Sequence, residues 1–253
     1  MLYPQENIQE LARSYNTLIS KHSLYSQLEL FIHANKIEGK SKYDLHKLIN
    51  EIILNSFIGE LRIKALLVDY FITQNAVAAF EMKTGNARLD FLRVNGSTIS
   101  YEIKSKIDSL TKLKRQATTY TNLFEYNNIV IDECHLSNAK IIIPNSFGII
   151  IFKDSQLITL KKAQKNKFIR SDKQIETFNK TELLEFFDNY TVNRKKILSD
   201  YSRNQINSRF KKMLLRRYTT KWNFIKEYYE RILPLDYQFF FNNNIAPEII
   251  YGD

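Results

Sequence analysis

The sequence predicts an α/β core flanked by helices. Three observations predict it: the hydrophobic period changes from helical to alternating after Ile72, an Asn-Gly pair separates two alternating runs, and short apolar runs recur further along the chain. Residues 1–49 are polar with scattered apolar positions and read as an N-terminal helical segment. From Glu51 to Ile72, the positions Ile53, Phe57, Leu61, Ala65, Val68 and Ile72 recur at spacings of three and four, the mark of one amphipathic helix. Ala76 to Met82 then reads as a strand ending at Thr84-Gly85-Asn86, and Ala87 to Val94 as a second. Asn95-Gly96 follows, and both residues tolerate the positive φ that tight hairpins need. In the returning strand Ile99, Tyr101 and Ile103 alternate with Ser100, Glu102 and Lys104, giving one oily face and one face that carries chemistry.

Asp108 or Ser109 is placed to cap a helix reaching about Glu125, with a buried stripe of Leu110, Leu113, Ala117, Tyr120 and Phe124. Asn128–Asp132, Ile141–Ile143 and Phe147–Phe152 read as buried strands, and Leu157–Leu160 as one more, in a mixed sheet of three to five strands. Beyond Lys161 the chain turns polar and then helical, with Phe210, Leu214, Trp222, Ile225, Tyr229 and Ile232 on one or two long helices. The organisation predicted is a helical segment over 1–50, a core over 51–165 and a basic helical region over 166–253.

Charge narrows the partner classes. The formal net charge is +10, and residues 194–231 hold twelve Lys or Arg against three acids, while the rest of the chain is nearly neutral. Concentrated positive charge suits a polyanion, because each neutralised phosphate releases counterions. The bland alternative is a solvated helix face in a basic protein. No apolar run approaches the roughly 20 residues of a membrane span, residues 1–10 lack the basic start and apolar centre of a signal peptide, and one cysteine, Cys134, excludes an internal disulfide framework. The expectation is a soluble, cytoplasmic protein that needs no membrane.

The order helix, strand, strand, strand, helix, strand carries Asp90 in its second strand and Glu102-Ile103-Lys104 in its third. With Tyr101-Glu102-Ile103-Lys104-Ser105, then Asp108 and Leu110, Gln116 and Tyr120, His135, and Pro144 before Phe147-Gly148-Ile149-Ile150, residues 51 to about 160 resemble the PD-(D/E)XK nuclease superfamily. Within it they are similar to a group of largely uncharacterised bacterial proteins. The superfamily's proline before the aspartate is Leu89 here. The resemblance implies a restriction-endonuclease-like core and a nuclease using Mg²⁺ or Mn²⁺ to hydrolyse phosphodiester bonds, with DNA favoured as the nucleic-acid partner. It implies metal ligands at Asp90, Glu102 and the Ile103 carbonyl, with Lys104 and Gln116 serving catalysis.

Elementary electrostatics agrees with that pattern. Two carboxylates about 4 Å apart repel by roughly 4 kcal/mol at an effective dielectric near 20, so the pair calls for a cation. Lys104, two residues from Glu102, lies on the same strand face and can stabilise charge developing on a phosphate. Geometry adds a condition. A two-residue loop at Asn95-Gly96 would pair position 90 with 101 and set Asp90 and Glu102 on opposite faces, so a longer loop or a β-bulge is expected between them.

Glu60 is the candidate for an additional catalytic or metal-binding acid on the first helix, with Glu81 and Glu51 as rivals; a Glu60–Lys64 pair at i, i+4 is the ordinary alternative. For nucleic-acid contact the candidates are Arg115 and, in the basic region, Arg209, Lys211, Lys212, Arg216 and Arg217; Lys112 and Lys114 are weaker. Tyr201, Tyr218, Trp222, Tyr228 and Tyr229 are interleaved with those cations, where rings can stack on unpaired bases, but core packing accounts for their spacing better than base stacking does. Cys134-His135 has no second pair to make a zinc site, and His22, His33 and His46 carry no chemistry. Two other classes stay open: a non-catalytic nucleic-acid-binding module, and an interaction component of a larger assembly. A second copy of the chain or a partner protein also remains open.

Overall fold

The computed structural model describes residues 3–57, 59–187 and 192–252. It contains helices α1 (Gln5–Ser14), α2 (Lys21–Glu29), α3 (Lys42–Ser56) and α4 (Glu60–Ile72), followed by strands β1 (Val77–Thr84), β2 (Ala87–Asn95) and β3 (Ser97–Lys104). Helix α5 (Leu113–Leu123), strand β4 (Tyr126–Asp132), helix α6 (Leu136–Ile142), and strands β5 (Gly148–Lys153) and β6 (Gln156–Lys161) come next. The chain continues through α7 (Ser171–Glu176), α8 (Lys180–Phe186), α9 (Arg194–Asp200), α10 (Arg203–Tyr228), α11 (Tyr237–Asn243) and α12 (Pro247–Tyr251). Two compact units result: Met1–Asp69 with Asn223–Asp253, and Tyr70–Trp222.

The first unit is helical. Ile8, Leu11, Leu24, Leu28, Leu45, Ile49 and Ile53 form its apolar core. Asp236, 1% exposed, is the hub of a polar cluster in which the Tyr15, Thr17 and Tyr251 hydroxyls donate to its carboxylate. The Asn50 amide donates to the Tyr15 hydroxyl, and the backbone N–H of Leu235 donates to Asn50. Burial raises the Asp236 carboxyl above the usual range, although these donors pull it down. The single helix expected from Glu51 to Ile72 is two: Phe57 is extended, with φ −86° and ψ 133°, and a Cβ on Gly59 would meet the Phe57 ring. The periodic stripe continued in register across the break, so spacing alone did not reveal it.

The second unit holds a six-stranded sheet in the order β1-β2-β3-β4-β5-β6, one strand more than the three to five expected, with β6, at the Leu157–Leu160 run, as an antiparallel edge strand on β5. Strands β1, β2 and β3 form an antiparallel meander. Helix α5 then crosses to β4, which lies parallel to β3, and α6 crosses to β5, parallel to β4. On one sheet face Phe80, Phe91 and Tyr101 lie level across three strands; Phe71 and Trp222 pack on Phe91 at ring-centroid distances of 5.8 and 6.4 Å. On the other face sits α5, with Leu113, Ala117 and Tyr120 turned inward. The strand face expected to be polar is therefore covered as well, and Ser100 and Glu102 are buried.

Two further expectations are corrected. Ile141–Ile143 is no strand: Ile141 and Ile142 end α6, and Ile141 is 84% exposed. A three-residue apolar run has no period of its own, and the turn of 3-10 helix at Glu133–His135, capped by Asp132, sets this segment helical. Asp108 and Ser109 do not cap α5, whose first turn follows Lys112.

The β2–β3 register brings Asp90 and Glu102 to one face, but not by the longer loop or β-bulge expected: the turn is shorter by one residue, and that shifts the parity as well. Asn95 pairs with Ser97 across Gly96 alone, and the pairs run through Leu92–Ser100 to Phe91–Tyr101. Gly96 has φ +63°, a conformation that costs glycine nothing. The same register sets Asp90 level with Glu102, both side chains on the α5 face.

Candidate functional site

At Asp90 the two strands part. Strand β2 stays paired with β1 as far as Ala87, but its pairing with β3 stops at Phe91–Tyr101. The next inward-facing N–H of β3, that of Ile103, donates instead to Oδ2 of Asp90 at 2.6 Å. The Asp90 carboxylate thus takes the place of a strand carbonyl. Extended backbone turns a residue's N–H and C=O to the same side, so the Ile103 carbonyl faces the same opening.

Asp90 is 9% exposed, Glu102 1% and Lys104 9%. The Lys104 ammonium lies 2.5 Å from Oε1 of Glu102. Burial pulls that ammonium down, but the Glu102 carboxylate and its hydrogen bond, then Asp90 and Asp108, outweigh burial and hold it above its usual value. The Tyr120 hydroxyl donates to Oε2 of Glu102 at 2.6 Å and lies 3.0 Å from the Arg88 carbonyl, bridging β2 and β3 where they separate. Burial, with Glu102 behind it, holds the phenol well above its usual range, so it stays a donor. Gln116, one turn before Tyr120 on α5, is half-buried, and its Oε1 has no partner among the described residues.

Ser105 follows directly. Its N–H and hydroxyl donate to Oδ2 of Asp108 at 2.7 and 2.5 Å. Its carbonyl lies 3.0 Å from Nε2 of His135, which must carry the proton there because a carbonyl only accepts. Asp108 and His135 therefore fix the backbone just beyond Lys104. The sequence signalled both residues without revealing that they meet on Ser105.

The donor set suits a hard cation. Among the described residues no group of three or more His, Cys, Asp and Glu gathers into a metal site. Two carboxylates and a carbonyl nevertheless match Mg²⁺, which binds through one or two carboxylates and keeps several waters. Each carboxylate oxygen has two lone pairs, so accepting one hydrogen bond does not exhaust it.

The remaining candidates sit as follows. Glu60 pairs with Lys64 at 3.2 Å, and Lys64 also donates to Gln238 at 3.1 Å, all within the helical unit. Glu81 lies where the β1–β2 pairing skips from Phe80–Phe91 to Met82–Leu89, in a left-handed conformation, φ +52°, with Arg88 3.7 Å away. Arg115 and Lys212 are exposed. The other basic-region candidates serve the fold: Arg209 donates to the Phe186 carbonyl and lies over the Tyr201 ring, and Lys211 donates to the Gly96 carbonyl. Arg216 pairs with Glu185, and Arg217 with Glu182.

The sequence model of the bacteriophage P4 protein cII family matches residues 35–240. The chain belongs to that family. Among solved structures it is similar to the SPO1766 protein of unknown function from Silicibacter pomeroyi, with 16% identity over 54% of this chain and 88% of that one, at a TM-score of 0.35. No curated protein matches it. No helix among the described residues is long and apolar enough to cross a membrane.

Proposed function

We propose that this protein is a metal-dependent nuclease of the PD-(D/E)XK type that hydrolyses phosphodiester bonds, with DNA as the favoured substrate. One observation carries the reading: Asp90, Glu102 and Lys104 gather on one sheet face where β2 and β3 separate. The succession α4, β1, β2, β3, α5, β4 supports the same core.

Oxygens of Asp90 and Glu102, with the Ile103 carbonyl, would hold Mg²⁺ or Mn²⁺. When bound, such a cation lowers the pKa of an attacking water and neutralises charge on the phosphate. Tyr120 fixes the orientation of Glu102, and Asp90 is fixed by the Ile103 N–H. Lys104 stabilises charge developing on the phosphate, and Gln116 has a carbonyl oxygen left to orient water from α5.

A second reading is favoured by the Lys104–Glu102 pair, which balances the buried charge without a metal. In that case the chain binds nucleic acid without turnover. Incubation with plasmid and single-stranded substrates, with and without Mg²⁺ or Mn²⁺, separates the two. The nuclease reading expects cleavage only with metal, abolished in Asp90→Ala and Lys104→Ala while binding persists. Cleavage unchanged in either variant, or absent from the native chain with both metals, overturns it.

A further inference from the structure

An open groove of about 810 Å³ lies between the start of α5 and α6. Ser109, Thr111 and Lys114 line one side, and His135, Asn138 and Ile141 the other. Asp108 and His135, which line it too, are the residues that grip Ser105, so the groove adjoins the peptide next to Lys104.

We propose that this groove, rather than the basic helix α10, takes the sugar–phosphate backbone of a nucleic-acid strand and leads it to the Lys104 end of β3. The proposal rests on the nuclease reading only for the fate of the strand, since binding itself needs no metal. Charge is the first support. Lys114 lines the groove, and Lys106, Lys112 and Arg115 flank its lining residues in sequence; all four are exposed and form no ion pair among the described residues, whereas the acid between them, Asp108, is engaged by Ser105. On α10 Lys212 is exposed too, but Arg209, Lys211, Arg216 and Arg217 are held by carboxylates and carbonyls of their own unit.

The chemistry of the lining is the second support. Ser and Thr hydroxyls, an Asn amide and a Lys ammonium are the side chains that hydrogen-bond phosphate oxygens. Ile141, 84% exposed, offers apolar surface in the lining that a solvated charged face does not need but a sugar or unstacked base can cover.

The test is fluorescence anisotropy of a labelled single-stranded DNA oligonucleotide with the full chain in EDTA, across a salt series. Lys112→Ala/Lys114→Ala changes exposed residues only, and circular dichroism checks its fold. For single strands the slope of log K against log salt falls by about 0.7 per lost phosphate contact, so this variant should lose about 1.4 and bind about 25-fold more weakly near 0.1 M salt. Lys195→Ala/Lys196→Ala, on α9, removes the same charge elsewhere and should leave both nearly unchanged. Equal losses in the two variants, or a loss only on α9, overturn the groove. Failure of the native chain to bind overturns it as well and favours an acidic protein partner. Cleavage by the native chain with unaltered binding by the groove variant removes the groove and spares the nuclease; groove-dependent binding without cleavage does the reverse.

Discussion

Replacing Lys104 with alanine removes the counter-charge of a carboxylate that is 1% exposed. Glu102 keeps the Tyr120 hydroxyl on Oε2 but loses the ammonium that lay 2.5 Å from Oε1. Breaking a buried pair from one side costs about 3–5 kcal/mol, because the remaining charge is neither solvated nor matched. Lys104 keeps slight access to solvent and Tyr120 still donates, so the lower end applies, about 3 kcal/mol. The chain's one tryptophan, Trp222, is fully buried against Phe91 in the sheet unit, so its fluorescence follows the unfolding of that unit in urea. The second half of the test is Glu102→Gln/Lys104→Ala, in which a neutral amide replaces the orphaned charge. That double variant should recover at least half of the loss. A loss below about 1 kcal/mol in Lys104→Ala, or no recovery in the double variant, refutes the claim that a buried, matched pair anchors the site.

Two more predictions concern single groups. Tyr120→Phe keeps the ring but deletes the bond to Glu102 and the contact with the Arg88 carbonyl; urea titration should show a loss of about 1.5–3 kcal/mol, and a change under half a unit would deny Tyr120 its bridging role. In the helical unit His46 is fully buried, and burial first, then Lys42, holds its pKa at about 4 against an ordinary 6.5. The unfolded chain therefore takes the proton first, and stability is lost as pH falls from 6.5 towards 4, by at most about 3 kcal/mol. Asp236, raised by burial, acts in the opposite sense: the folded chain takes its proton first, which reduces the net loss. Denaturation midpoints between pH 7 and 4.5 should fall for the native chain and flatten in His46→Gln; equal slopes in the two would remove His46 from the account.

Much of the site was legible because it is local. Alternation placed Glu102 and Lys104 on one face, and parity alone required an odd register between Asp90 and Glu102, which Gly96 supplies. The stripe of α5 brought Tyr120 inward, towards the strand face that carries Glu102. Distant pairings were not legible. Nothing in the spacing of Arg217 or Arg209 points to Glu182 or the Phe186 carbonyl, so a run of charge that reads as a polyanion surface is largely internal bonding. Likewise Asp108 has the residue type of a helix cap, yet the nearer N–H and hydroxyl of Ser105 claim its carboxylate. The break before Gly59 was hidden by a stripe that stays in phase across it.

The central claim is that Asp90 and Glu102 together create affinity for a divalent ion. Titration of the native chain with Mn²⁺, following free Mn²⁺ by electron paramagnetic resonance, measures this without requiring any substrate. Asp90→Asn is the matching variant, because its amide oxygen can still accept from the Ile103 N–H while the negative charge is gone. Saturable Mn²⁺ uptake by the native chain, weakened at least tenfold in Asp90→Asn, is the predicted result. No uptake by the native chain, or equal uptake by both, would contradict it.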